Sequence, residues 1–205
     1  MARDAQATRE RILDSAQGLV LERGFAGTSL DEVLSAAGVT KGGFFHHFRS
    51  KSELGTALVE RYARADLVAL AALWDQADRL SRDPLQRVLL FLGLFAESID
   101  ALAGENPGCL YVSFVYERQL GDDNARDMIE NAVLTWRRRL RERLDETAKR
   151  YPPRIPVDLD AVADLVFTTN EGAYVLARAT GQPQLLRDQL LQVRNYIELL
   201  FSPTT

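Results

Sequence analysis

Residues 24–54 read GFAGTSLDEVLSAAGVTKGGFFHHFRSKSEL, and three helix starts crowd into them. Thr28 precedes an apolar-periodic run with Asp31 three residues on, a capping-box-like pair whose acid also suits the positive end of the helix dipole. Gly38 is placed to end that helix in the left-handed conformation, and Thr40 opens a second short helix. Ser50 with Glu53 forms a full capping box for a third. Only a tight turn fits between Gly38 and Thr40. Two helices joined by a short glycine-containing turn are the pattern of a helix-turn-helix, whose second helix enters the DNA major groove. The spacing points to a DNA-binding regulator.

The charges around this stretch agree. From Gly38 to Ser52 the formal charges are Lys41, Arg49 and Lys51, with His46 and His47 among them. Both lysines fall in the first turn of an expected helix, where backbone N–H groups also favour phosphate. The whole chain carries a net charge of −4, which excludes a generic polyanion binder and confines any nucleic-acid contact to a local patch. With 205 residues, 46% hydrophobic and 26% charged, the chain suits one domain or two small ones with a real core. One cysteine excludes an internal disulfide and a cysteine-rich zinc site. The start, MARDAQATRERIL, lacks the apolar centre of a signal peptide, and LVALAALW at 67–74 is too short to cross a membrane. A soluble, cytoplasmic protein without metal or cofactor is expected.

Outward from the central stretch, nearly every segment has helical periodicity. Thr8 to Arg23 places Ile12, Leu13, Ala16, Leu19 and Val20 on one face, and Gly24 ends it, with Phe25 able to fold back. Ser29–Ala37 and Lys41–Phe48 are the two short helices, and a long one runs from Lys51 towards Leu80. Pro84 opens the next, to about Ala103, followed by a turn over 104–108. Helices are then expected over Cys109–Leu120, Asp123–Arg150, Asp158–Thr180 and Gln184–Phe201, parted by Gly121, by the prolines of 151–156 and by Gly181-Gln182-Pro183. The expected fold is all-α with about nine helices. A three-helix DNA-binding head covers 1–52 and a helical ligand-binding and dimerisation body covers 53–205. The small head is expected to rest on the first turns of the long helix.

The run ATRERILDSAQGLVLERGFAGTSLDEVLSAAGVTKGGFFHHFRSKSEL resembles the N-terminal domain of the tetracycline-repressor (TetR/AcrR) family of transcriptional regulators. Helix lengths, turn positions and the TKGxFxxHFxSKxxL pattern agree together from about Ala7 to Leu58, and EGAYVLARATG at 171–181 is a further shared feature. The resemblance implies a homodimer on a palindromic operator in double-stranded DNA, acting as a repressor that a small-molecule effector releases. It also implies that Thr28 and Ser29 lie at the phosphate backbone and that Thr40, Lys41 and Gly42 start the recognition helix. Phe45, His46 and His47 follow in its body, and Lys51 approaches phosphate. Glycines at 42 and 43 suit a close approach to DNA, although each costs ~1 kcal/mol of helix propensity against alanine. Position 45 departs from the family, which has Tyr there; the Phe ring lacks a phosphate-binding hydroxyl and is suited to a thymine methyl instead.

Other features are weighed by chemistry. His46 and His47 are adjacent, point about a hundred degrees apart and cannot chelate one metal. Phe44 and Phe48 are four apart and belong to the core. The run WRRRLRER at 136–143 is interleaved with leucines and followed by acids, which makes it the solvated face of an amphipathic helix. Cys109 follows Asn106-Pro107-Gly108 at a helix start, where the dipole lowers a thiol pKa. A Gly-Cys-Leu run there resembles a family branch of electrophile and redox sensors, and the alternative is a small buried hydrophobe. The effector pocket is sought among Trp74, Phe91, Phe95, Tyr111, Phe114 and Trp136, each equally able to be plain core. Asn170 and Glu171, with Thr168 and Thr169, are polar residues interrupting an apolar helix and need partners if buried. The last two helices carry Leu185, Leu186, Leu190, Val193, Ile197, Leu200 and Phe201, with Leu191 and Leu199 widening the stripe. That breadth suits burial against both the body and a second subunit, with Gly172 and Ala173 allowing close approach. No nucleophile motif, P-loop or GxGxxG occurs, so an enzyme is not expected. A helical ligand-binding protein without a DNA role is the remaining rival.

Overall fold

The computed structural model describes residues 2–102, 108–115 and 123–202. Among them the regular elements are all helices: α1 (Ala2–Arg23), α2 (Leu30–Ala37), α3 (Lys41–Phe45), α4 (Lys51–Leu80), α5 (Pro84–Leu102), α6 (Leu110–Val115), α7 (Asp123–Arg150), α8 (Leu159–Thr180) and α9 (Leu185–Phe201). Residues 104–107 of the turn expected over 104–108, the segment 116–120 and the Gly121 break lie outside the described residues. The chain forms two compact units. A head unit comprises Met1–Ala65 with Gly108–Asn131, and a body unit comprises Asp66–Pro107 with Ala132–Thr205.

In the head, α1 starts six residues before the expected Thr8. Its first turns hold alanines with high helix propensity, Asp4 at the dipole's positive end, and Gln6 donating to Glu10 one turn on at 2.7 Å. Ile12, Leu13, Ala16 and Val20 of α1 are buried with Val33, Phe44, Phe48, Leu54 and Leu58, so the core joins α1 to α2, α3 and the first turns of α4. Arg61 of α4 binds back to α1, donating to Asp14 at 2.6 Å, Glu10 at 3.3 Å and Gln17 at 2.7 Å. The head is thus larger than α1–α3, and α6 packs on α1 within it.

In the body, α9 packs against α5 and α8. Leu186, Leu190, Val193, Ile197, Leu200 and Phe201 are all buried, so most of the broad C-terminal stripe is used inside one chain. Ala173 also faces inward, whereas Gly172 is exposed. A four-membered ion-pair ring ties α4, α5 and α7, in which Arg87 and Arg143 each contact both Asp78 and Glu146.

The proline-rich segment after α7 is held at both ends. The Arg154 N–H donates to the Leu200 carbonyl at 2.8 Å, and the Tyr151 hydroxyl donates to Asp83 at 2.6 Å. Burial raises the Asp83 pKa, but the Tyr151 hydroxyl, backbone N–H groups of Gln86 and Leu85 and the Arg150 charge outweigh it, leaving the carboxyl below its ordinary 3.8. Asp83 therefore contributes stability that is complete above about pH 5, well clear of the unfolded value, and fades as pH falls through the depressed folded value. Tyr151→Phe is expected to bring that value back towards 3.8 and to shrink the stability lost between pH 5 and pH 3, read from urea midpoints. An unchanged acid limb would remove Tyr151 from this role.

Candidate nucleic-acid interface

The turn between α2 and α3 is built as the sequence requires. Gly38 sits at φ 63°, ψ 39°. Its N–H meets the Ser35 carbonyl at 3.3 Å and the Val39 N–H meets the Leu34 carbonyl at 3.0 Å, the paired bonds of a Schellman motif. Thr40 then caps α3, its hydroxyl oxygen accepting from the Gly43 N–H at 3.1 Å. A Cβ at residue 43 would stand 3.3 Å from that oxygen, so glycine leaves the cap its room.

The α2 cap falls one residue later than expected. Ser29, not Thr28, is the N-cap: its hydroxyl accepts from the Glu32 N–H at 3.2 Å and Glu32 accepts from the Ser29 N–H at 2.8 Å. Those bonds from the Ser29 backbone and hydroxyl, with Arg23 beside them, hold the Glu32 carboxyl below its ordinary range despite some desolvation. Thr28 is 1% exposed and its hydroxyl donates to the Gly24 carbonyl at 2.9 Å. Ser29 is exposed at the helix start. At α4, Ser50 accepts from the Glu53 N–H at 3.1 Å as expected, but the Glu53 carboxylate reaches the Arg49 N–H, not that of Ser50.

Helix α3 is regular only over Lys41–Phe45, shorter than the expected Lys41–Phe48. Two consecutive glycines weaken it, and the His47 N–H bonds the Phe44 carbonyl three residues back, tightening the last turn. The Phe48 N–H still meets the Phe44 carbonyl at 3.0 Å, so the backbone keeps its helical course to residue 48. One face is core, with Phe44 and Phe48 rings 5.5 Å apart and both buried. The other face carries Lys41, Gly42, Phe45 and His46, all exposed, with His47 half-exposed at its edge. Phe45 is 45% exposed and stands edge-on to Phe44 at 5.4 Å, a large ring left in solvent by a helix that buries its neighbour. Lys51 is drawn inward: its ammonium donates to the Phe25 carbonyl at 2.6 Å and lies 4.5 Å from the Phe25 ring centroid.

The nine effector candidates fall into three groups. Trp74, Phe91, Phe95 and Trp136 form one aromatic cluster in the body. Trp74 stacks on Phe91 at 3.9 Å, and the Trp136 indole donates to Asp66 at 2.8 Å. Tyr111, Phe114 and Cys109 belong to the head: Tyr111 meets Tyr62 edge-on at 4.9 Å, Phe114 lies 4.8 Å from Phe25, and Cys109 is buried and free of any disulfide. Asn170 is buried on α8, donating weakly to the half-buried Glu171 at 3.4 Å. Two buried polar atoms here, Trp74 Nε1 and Asn170 Oδ1, have no partner among the described residues. No group of three or more metal-ligating side chains occurs among the described residues. The contacts of Lys51 with Phe25 and of Arg61 with α1 have no local signal in the sequence, because the partners lie 26 and about 50 residues apart.

A family model described as bacterial regulatory proteins, tetR family, matches residues 12–58, and a second, tetracyclin repressor-like C-terminal domain, matches residues 84–192. The chain belongs to the TetR family. Transcriptional regulator AcuR of Cereibacter sphaeroides is 32% identical over 187 residues, which cover 90% of this chain and 83% of that relative. The HTH-type transcriptional repressor NemR of Escherichia coli is 36% identical over 112 residues, covering 54% of this chain and 53% of the relative. The crystal structure of E. coli NemR in its reduced form has a TM-score of 0.72 at 25% identity, covering 97% of this chain and all of that one. This TetR-family chain is a helix-turn-helix transcriptional regulator and not an enzyme. No helix among the described residues is long and apolar enough to cross a membrane.

Proposed function

We propose that this TetR-family protein is a ligand-responsive repressor that binds a palindromic operator as a homodimer and leaves it when a small effector binds the body. The observation that carries the DNA part is the two-sided α3, with Phe44 and Phe48 buried while Lys41, Gly42, Phe45 and His46 stay exposed. In this reading α3 enters the major groove with Phe45 against a thymine methyl and His46 and His47 near base edges. The N-termini of α2 and α3, at Ser29 and at Thr40, Lys41, Gly42 and Gly43, face phosphate with Lys51. Thr28 is left out because it is buried.

The dimer part rests on α8 and α9. Leu165, Gly172, Val175 and Leu176 of α8 and Leu199 of α9 are exposed on helices whose other faces already fill the body core. Apolar side chains left out at helical spacing beside an open glycine suit an isologous contact with a second copy. Two heads related by a two-fold axis would then read half-sites about one DNA turn (~34 Å) or a multiple apart.

The effector part rests on Trp74 Nε1 and Asn170 Oδ1, a buried donor and a buried acceptor without partners among the described residues. Each costs on the order of 1–3 kcal/mol if left so, a cost that a bound molecule relieves. Burial of Cys109 favours packing over thiol sensing, since reactive cysteines are partly exposed.

Fluorescence anisotropy with DNA flanking the protein's own coding region, at two salt concentrations and against scrambled competitor, tests the reading. Specific binding that weakens with salt is expected. A folded dimer that binds no duplex at low salt would overturn it in favour of a ligand-binding role without DNA.

A further inference from the structure

We propose that Phe25 is the positioning residue for Lys51, holding its ammonium in place for DNA phosphate. The proposal rests on the reading above that Lys51 meets phosphate. One residue supplies two restraints: the Phe25 carbonyl accepts from Lys51 Nζ at 2.6 Å, and the Phe25 ring lies under the same nitrogen at 4.5 Å. An ammonium has three donors, so a bond to a carbonyl is compatible with another to phosphate. A free lysine loses rotamer freedom on meeting a ligand, whereas one already held has lost it beforehand.

The ring is itself held. It is 5% exposed and packs on Phe114 of α6 at 4.8 Å with 37° between planes. Beside both rings stands Gly55, one helical turn after Lys51 and on the same face of α4. A Cβ at residue 55 would lie 2.8 and 2.9 Å from two Phe25 ring atoms and 3.3 Å from Phe114. Glycine there is what lets the ring sit under Lys51. The segment after α1, the start of α4 and α6 thus meet on one side chain, all within the head unit.

The test measures binding to a mixed-sequence DNA duplex over a salt series, for the wild type, Lys51→Ala, Phe25→Leu and the double variant. Lys51→Ala is expected to lower the slope of log K against log salt by about 0.9, one phosphate contact. Phe25→Leu keeps the carbonyl and removes the π face. It is expected to weaken binding about three- to fivefold, the scale of a cation–π contact, and to lower the slope as well. The double variant is expected to bind no more weakly than Lys51→Ala alone. Phe25→Met, a flexible filler without a π face, runs in parallel, with helicity checked for each, so that a folding failure in one leaves the other to decide. Wild-type slope in the folded Phe25 variants, with effects that add to those of Lys51→Ala, would mean Phe25 is packing only and overturn the proposal. An unchanged slope in Lys51→Ala would overturn the phosphate reading itself, and the proposal with it.

Discussion

Gly42→Glu is expected to abolish operator binding while leaving the fold intact. A Cβ at residue 42 meets nothing within 4 Å, and the residue lies on the exposed face of α3, so the protein itself has room for the larger side chain. Helix propensity even favours the change by about half a kcal/mol. The cost arises only on DNA. A carboxylate at the N-terminal turn of α3 faces phosphate if this helix enters the groove, and like charges brought together at an interface cost several kcal/mol. Since ~1.4 kcal/mol is tenfold, affinity should fall by at least about 100-fold. Anisotropy measures the loss, and circular dichroism with sedimentation establishes that helicity and association are unchanged. Retained binding would mean that α3 does not approach the duplex through Gly42.

Gly172→Arg applies the same logic to the opposite end of the function. Its Cβ also meets nothing within 4 Å, and the residue is exposed on α8 beside the exposed Val175 and Leu176. The protomer should therefore fold as before. A second copy packed on this face would have to accommodate a guanidinium against apolar side chains, an unpaired buried charge. The expected outcome is a monomer at concentrations where the wild type is a dimer, with specific affinity reduced by about 10²–10⁴ as the two half-sites lose their linkage. Sedimentation equilibrium decides the first point. A variant that stays dimeric would place the subunit contact elsewhere.

The sequence discloses much of this, and where it falls short the causes are identifiable. The bounds of α4 and α7 are legible because a serine cap, the prolines at 84 and 152 and charged termini punctuate them. The α2 cap is not, because Thr28 and Ser29 each have an acid three residues on, Asp31 and Glu32, and the local pattern permits both registers. Burial chooses: the Thr28 hydroxyl is spent on Gly24, so Ser29 must cap. On α8 the reverse problem arises. A helix apolar on several faces does not say which face is inward, and Ala173 and Gly172, adjacent in sequence, end on opposite sides. Long side chains are the least legible. Lys51 has the spacing of a surface cation, yet its ammonium donates to a carbonyl 26 residues away.

The stacked Trp74–Phe91 pair has an optical consequence. The chain has two tryptophans, Trp74 and Trp136, and both lie in the aromatic cluster of the body, one face-to-face with a phenylalanine and the other bonded through its indole to Asp66. The head has none. Emission excited at the red edge of the protein's absorption therefore originates wholly in the body unit, outside the head that holds α2 and α3. A change in that emission, on adding a duplex or a small molecule, is a change at the body's own aromatic cluster. The protein carries a built-in reporter of that unit without a label.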